Sequence, residues 1–175
     1  AKPYHICGMI SHLGPQLAIA DGVALAYTLK NEAKASVAFS GDGGTSEGDF
    51  HEACNIAAVW DLPVIILIEN NGYAMGTSVE RSSNVTELYK LGSAYEMSSE
   101  ALDAMNIEDV YYAVARAAKR ARSGIPTLLE LKTYRYKGHS ISDPGNYRKK
   151  EEVQQYKNQD PIENLKKKIT DCGIV

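Results

Sequence analysis

Apolar positions follow two different periods along this chain. Between residues 14 and 29 they recur at Leu17, Ala20, Ala24 and Tyr27, the spacing of one helix face. Residues 36–40, with Val37 and Phe39, form a short run that stops at Gly41-Asp-Gly-Gly44 and reads as a buried strand closed by a turn. Thr45 or Ser46 is expected to cap a helix starting near Glu47, with Phe50, Ala53, Cys54, Ala57 and Trp60 on its apolar face. Residues 63–68 are apolar without alternation, as in a parallel strand covered on both faces, and Glu69-Asn-Asn-Gly72 ends them. A short helix is expected over 86–91, with Gly92 beyond it. Asn106 looks like the cap of a helix over 107–122 lined by Val110, Tyr111, Val114, Ala118 and Ala121. Ser123-Gly-Ile-Pro126 breaks that helix, and 127–133 is another strand. A polar loop over 134–148 leads to helices near 149–157 and 161–170.

Helices and strands alternate, which predicts an α/β fold with a mainly parallel sheet flanked by helices. One domain over 1–175 is expected, with a core at about 11–148 and a helical extension over 149–175. The 175 residues are 44% hydrophobic and 23% charged, as in an ordinary globular protein. A net charge of −3 gives no footprint for nucleic acid or anionic lipid. The locally basic stretch over 148–171 reads as a solvated helical face. Cys7, Cys54 and Cys172 are odd in number and widely spaced, so neither a disulfide framework nor a zinc site is expected. The opening AKPYHICGMI does not read as a signal peptide, and no apolar run has the roughly 20 residues of a membrane span. A reducing compartment follows as the expectation: cytoplasm in a bacterium, mitochondrial matrix in a eukaryote.

The chemistry concentrates at two strand ends. Parallel strands joined by a helix end at the same sheet edge, and ligands of open α/β sheets bind just outside it. The first strand delivers Asp42 there, and the second delivers Asn70 and Asn71, 29 residues beyond Asp42 for the latter. The connecting helix turns its N-terminus to the same edge, where free N–H groups favour a phosphate. A carboxylate and a carboxamide are hard oxygen donors suited to Mg²⁺, which commonly shares a substrate diphosphate. Glycines at 41, 43 and 44 allow close backbone approach. Asp-Gly and Asn-Gly are common turns singly; the pair at this spacing, each closing a strand, is far more specific. Gly41-Asp-Gly-Gly-Thr-Ser-Glu-Gly48 is not a P-loop, because no Lys follows the glycines, nor is it G-x-G-x-x-G.

GDG followed about thirty residues later by NN resembles the thiamine-diphosphate signature. GDGGTSEGDFHEACNIAAVWDLPVIILIENNGYAMGTSVERSS resembles the alpha subunit of the 2-oxo acid dehydrogenases. TYRYKGHSISDPGNYRKKEEV resembles that subunit's phosphorylation-loop segment. The similarity runs from about Ser11 to Asn164, and AMGTSVERSS and YRYKGHSISDP look most like pyruvate dehydrogenase. The resemblance implies the thiamine-diphosphate-binding fold, with thiamine diphosphate and Mg²⁺ as cofactors. It implies metal ligation by Asp42, Asn71 and the Tyr73 carbonyl, and diphosphate contacts from Gly43 and Gly44. Ser11 and Leu13 would grip the aminopyrimidine ring. His139 would be the active-site histidine and Ser140 the serine phosphorylated in mitochondrial relatives. It further implies oxidative decarboxylation of a 2-oxo acid, pyruvate in the first place, with acyl transfer to a lipoyl group on an acyltransferase component. A beta subunit would supply the activating glutamate in an α2β2 heterotetramer, so the chain alone is expected to be inactive. The alternatives are a branched-chain 2-oxo acid or acetoin dehydrogenase alpha subunit, and, from another class, a noncatalytic phosphate- or nucleotide-binding α/β module.

Three departures from the family pattern stand out. The family's diphosphate-binding Tyr-Arg pair would fall before Ala1, and a C-terminal tail after Val175. Ala104 stands where the family usually has Gly. Lys137 replaces a His common two positions before His139. Elsewhere, Glu52 is expected to order the turn or a subunit contact, and His12 to be solvated. Trp60 and Tyr111 fit core or interface packing. Cys54 is expected to face the core as an inert thiol. The 134–148 loop has few apolar residues and is expected to be mobile until cofactor binds.

Overall fold

The computed structural model describes residues 5–8 and 11–174. The N-terminal stretch read against a signal peptide lies largely outside them. Helix α1 (Pro15–Leu29) starts at a proline and feeds strand β1 (Ser36–Gly41). A 3₁₀ turn, Asp42–Ser46, follows and leads into α2 (Gly48–Val59). Strand β2 (Val64–Asn70) comes next, then a hairpin of β3 (Tyr73–Ala74) and β4 (Thr77–Ser78), and a single turn of helix, α3 (Val79–Ser82). A 3₁₀ segment, Leu88–Tyr95, precedes β5 (Ser98–Asp103), α4 (Ile107–Ala121) and β6 (Thr127–Lys132). Helices α5 (Lys150–Lys157) and α6 (Pro161–Asp171) complete the chain.

The main sheet runs β1-β2-β6-β5, and every pair in it is parallel. The expected parallel α/β sheet is present. The inner strands β2 and β6 are each buried over five consecutive residues, the consequence of cover on both faces. One face packs Ala38, Ile66, Ile68 and Leu128 against Leu17 and Ala24 of α1 and Phe50, Cys54 and Ala57 of α2. The other packs Ile65 and Leu129 against Ala117 and Ala121 of α4. The register sets Gly41 beside Glu69, so β1 and β2 release their next residues, Asp42 and Asn71, at one edge. Among the described residues, no helix is long and apolar enough to cross a membrane.

Four local expectations need correction. Neither Thr45 nor Ser46 caps α2; the N-cap is Glu47, without a side-chain bond, because the buried Thr45 hydroxyl donates to the Asp42 carbonyl at 2.7 Å instead. Trp60 is 54% exposed and lies one residue past the end of α2, outside its buried face. The buried face of α4 is Ala113, Ala117 and Ala121, while Tyr111 is 69% exposed. Of the expected face, Ala121 is buried and Val114 and Ala118 pack against the same cluster, so the face is displaced toward Ala113 and Ala117 rather than absent. The expected short helix after residue 86 is a 3₁₀ segment that includes Gly92 rather than stopping before it. Asn106 does cap α4, its side chain accepting from the Glu108 N–H at 3.1 Å. Cys54 is fully buried, as expected.

Candidate functional site

The site grows from the ends of β1 and β2. Asp42 is buried, 5% exposed, as the first residue of the 3₁₀ turn. Burial pushes its carboxyl above the ordinary carboxylate range; the Asn71 backbone N–H bonds to it and Arg135 lies close enough to pull the other way. Among the described residues this carboxylate forms no ion pair, so a divalent cation could be accommodated beside it.

Asn70 and Asn71 have opposite fates. Asn70 is occupied: its Oδ1 accepts from the Gly72 N–H at 2.9 Å, and its Nδ2 donates to Glu130 at 2.7 Å. The Asn71 Oδ1, by contrast, is shut off from solvent and accepts no hydrogen bond. Buried polar atoms are nearly always paired, so this orphaned oxygen at the same sheet edge as a buried carboxylate could accept an external cation. Gly72, at φ 82°, turns the chain into the β3–β4 hairpin, which the Val79 N–H closes onto the Gly72 carbonyl at 3.1 Å. The Tyr73 carbonyl follows in the same turn and takes a long 3.4 Å bond from Arg135, with a lone pair to spare. One carboxylate, one carboxamide and one carbonyl form an all-oxygen donor set that fits Mg²⁺. No group of three or more His, Cys, Asp or Glu capable of holding a metal occurs among the described residues.

The glycines beside Asp42 are fixed by space. A Cβ at Gly43 would lie 2.6 Å from the Ala74 Cβ, and one at Gly44 would lie 2.2 Å from the Ser40 Oγ. The backbone there is pressed between β1 and the hairpin, and α2 starts just beyond it. A diphosphate approaching this turn would meet main chain rather than side chains.

Ser11 and Leu13 are exposed, Leu13 by 54%. Gly14 lies against Asp49 in the first turn of α2, and the Gln16 Nε2 donates to the Phe39 carbonyl at 3.3 Å. The leading segment therefore passes the end of β1 and the start of α2. His12 and Glu52 are exposed, and the His51 Nδ1 lies 2.8 Å from the Tyr95 hydroxyl.

The loop carrying His139 and Ser140 corrects an expectation. Its scarcity of apolar residues does not leave it unanchored, because aromatic and guanidinium groups fasten both ends. Arg135 donates to the Met75 carbonyl at 2.8 Å and to the Tyr147 hydroxyl at 3.0 Å. Arg148 donates to the Arg135 and Lys137 carbonyls. Its guanidinium lies 5.3–5.9 Å from the ring centroids of Tyr73, Tyr134 and Tyr147. Tyr134 stacks on Tyr156 of α5 at 4.0 Å and 5°. The tip stands out as a continuous exposed run, His139, Ser140, Ile141 and Ser142. The Asp143 carboxylate accepts from the His139 N–H at 2.7 Å, the Gly145 N–H and the Tyr147 hydroxyl, which hold its pKa below the usual range. The loop thus reaches the β3–β4 hairpin through Arg135 and Tyr147, while His139 is exposed. Sequence reasoning passed over Arg135, Arg148 and Glu130. A glutamate within the apolar run of 127–131 was the signal available for the last.

A family model described as Dehydrogenase E1 component matches residues 1–175. The pyruvate dehydrogenase E1 component subunit alpha of Rickettsia felis is 45% identical over 160 residues, which cover 91% of this chain and 49% of that protein. The protein of the same name from Rhizobium meliloti is 41% identical over 175 residues, 99% of this chain and 50% of its own length. The Ascaris suum protein, subunit alpha type I, mitochondrial, is 41% identical over 166 residues, 93% of this chain and 41% of its own. The chain thus spans about half the length of the curated relatives it matches. Among solved structures, a candidate thiamin diphosphate-dependent enzyme from Mycobacterium smegmatis superposes with a TM-score of 0.57 at 19% identity. That match covers 71% of this chain and 23% of the other, and it shows a shared fold.

Proposed function

The chain belongs to the dehydrogenase E1 component family, and from that premise we propose that it is the diphosphate- and metal-holding part of the alpha subunit of a thiamine-diphosphate-dependent pyruvate dehydrogenase. The observation that carries the reading is the orphaned Asn71 Oδ1 beside the buried Asp42 carboxylate at two parallel strand ends. Asp42, Asn71 and the Tyr73 carbonyl would hold Mg²⁺, leaving its other positions to diphosphate oxygens and water. The Gly43 and Gly44 backbone would cradle the diphosphate. Ser11 and Leu13 would seat the aminopyrimidine. When bound, thiamine diphosphate supplies the electron sink that lets a 2-oxo acid lose CO₂ and pass its acyl unit to a lipoyl group.

His139, at the exposed loop tip, would hold or move a proton at its imidazole during acyl transfer, work suited to its titration range. A beta subunit would complete the site in an α2β2 heterotetramer, and a lipoyl-bearing acyltransferase would take the acyl group. The names of the relatives, each a subunit alpha, support this arrangement. Bacterial relatives favour a cytoplasmic setting and the Ascaris relative a mitochondrial one, according to the source of the chain. The test is steady-state turnover of the reconstituted enzyme with pyruvate, 2-oxoisovalerate and acetoin. Preference for pyruvate is expected, and preference for either of the others overturns the substrate assignment.

The loop gives a second expectation. A phosphate on Ser140 would add almost two negative charges at the exposed tip, next to His139. Ser140→Glu is expected to lower lipoyl acylation at least tenfold while changing thiamine diphosphate affinity less than threefold. Lipoyl-domain acylation and calorimetric titration of the same preparation measure the two effects. Equal losses in both would contradict a role confined to the tip.

A further inference from the structure

We infer that Glu130, a buried carboxylate on an inner strand, is a positioning residue that sets the metal-facing turn through Asn70. The inference rests on the reading of Asp42, Asn71 and the Tyr73 carbonyl as metal ligands. Glu130 is 0% exposed, in a stretch of β6 that is otherwise threonine and leucine. A carboxylate is expensive to bury, and a leucine would fill this position without that cost. Both its oxygens are engaged. Oε1 accepts from the Asn70 Nδ2 at 2.7 Å, and Oε2 accepts from the Tyr89 N–H at 2.8 Å, which ties down the 3₁₀ segment Leu88–Tyr95.

The bond to Asn70 controls the turn. Glu130 pairs with Ile68 in the register, so its side chain lies on the same sheet face as Asn70, two residues farther along β2. With both Glu130 oxygens accepting, Asn70 presents its amide nitrogen to Glu130 and its oxygen to the other side. There the oxygen takes the Gly72 N–H at 2.9 Å, while the Asn70 carbonyl takes the Thr133 N–H at 2.9 Å. With Asn70 fixed at the side chain and main chain, Gly72 is fixed too. The intervening Asn71 then has its side-chain oxygen buried and free, and Tyr73 follows in a set direction. Glu130 touches none of the proposed ligands; it decides where they point. Partners of this kind, one layer behind the ligands, commonly govern metal affinity.

A reversal of hydrogen-bond polarity tests this. Glu130→Gln offers one acceptor to two donors, so either Asn70 or Tyr89 meets an opposing N–H. Adding Asn70→Asp restores every bond in reverse: the new amide donates to residue 70 and accepts from Tyr89, and residue 70 still accepts from Gly72. Mn²⁺ replaces Mg²⁺ as the probe. Its half-saturation is read by electron paramagnetic resonance of free Mn²⁺, with saturating thiamine diphosphate, in the chain assembled with its partner subunit. Thermal melting is recorded in parallel. E130Q is expected to raise the Mn²⁺ midpoint about tenfold, and the double variant to return it to within about threefold of the parent. If E130Q melts earlier but keeps the parent midpoint, Glu130 is merely structural and the inference is wrong. If the double variant binds as weakly as E130Q, or fails to bind where E130Q does not fold, the route through Asn70 is wrong. If the parent itself takes up no Mn²⁺ with thiamine diphosphate, the ligand assignment falls, and this inference with it.

Discussion

Asp42→Ala is expected to abolish Mg²⁺-dependent binding of thiamine diphosphate. Asp42 is the one charged member of the donor set, and its carboxylate is buried with the Asn71 backbone N–H as a fixed contact. Removing it leaves a divalent cation with two neutral oxygens and the diphosphate. Loss of residues behind metal ligands already costs about 10- to 100-fold in affinity, so losing the anionic ligand itself should exceed about 100-fold. The same change should barely alter folding without ligands, because burial already disfavours the charged carboxylate. Isothermal titration with thiamine diphosphate in excess Mg²⁺ reads the first effect, and thermal melting of the ligand-free protein reads the second. A variant that binds within tenfold of the parent would show that Asp42 does not hold the metal.

The second large effect lies away from the site. Asp21 on α1 is 4% exposed, and both of its carboxylate oxygens lack a hydrogen-bond partner. Burial raises its pKa from 3.8 to about 7. The Cys54 thiol across the α1–α2 contact is pushed up to about 12, first by burial and then by the Asp21 charge. Between about pH 4 and pH 7 the folded state therefore holds a proton that the unfolded chain has released. Stability from this group is complete below the unfolded pKa and drains away as pH rises through the folded one. A rise of roughly three units corresponds to about 4 kcal/mol. Asp21→Asn keeps the shape and cannot ionise. Urea unfolding should show parent and variant nearly equal near pH 4. The variant should be more stable above pH 7, by up to about 4 kcal/mol. A stability difference that stays constant from pH 4 to pH 8 would exclude this origin.

Much of the scaffold was legible because hydrophobic runs and breakers coincide. The 63–68 run read as a doubly covered strand and Asn106 as a helix cap, and β2 (Val64–Asn70) and α4 follow both readings. Strand β5 was invisible: Ser98–Asp103 is polar at four of its six positions and becomes a strand through pairing with β6. Its Glu100 is held by Arg116 and Arg120 from α4, at 3.1 and 2.9 Å, contacts far apart in sequence. The α4 face was only partly legible: Val114, Ala118 and Ala121 do pack on the sheet, but hydropathy favoured Tyr111 over the small, fully buried Ala113 and Ala117. The convergence of Asp42 and the Asn70–Asn71 pair at one sheet edge was legible as spacing, yet the spacing could not tell Asn70 from Asn71. That distinction arises from Glu130, sixty residues beyond Asn70. The loop's anchors were hidden for a related reason. Arg135 and Arg148 look solvated in a sequence and are held here by tyrosine rings and carbonyls.

The central claim is that the ends of β1 and β2 hold a divalent cation together with a diphosphate. Its most direct test is the anomalous difference map of the assembled enzyme crystallised with Mn²⁺ and thiamine diphosphate. A single strong peak is expected between the Asp42 carboxylate, the Asn71 Oδ1 and the Tyr73 carbonyl, with diphosphate oxygens completing its coordination and the Gly43–Gly44 backbone against the diphosphate. A diphosphate bound at this edge with no peak among those three oxygens, or a peak held by other residues of this chain, would contradict the account.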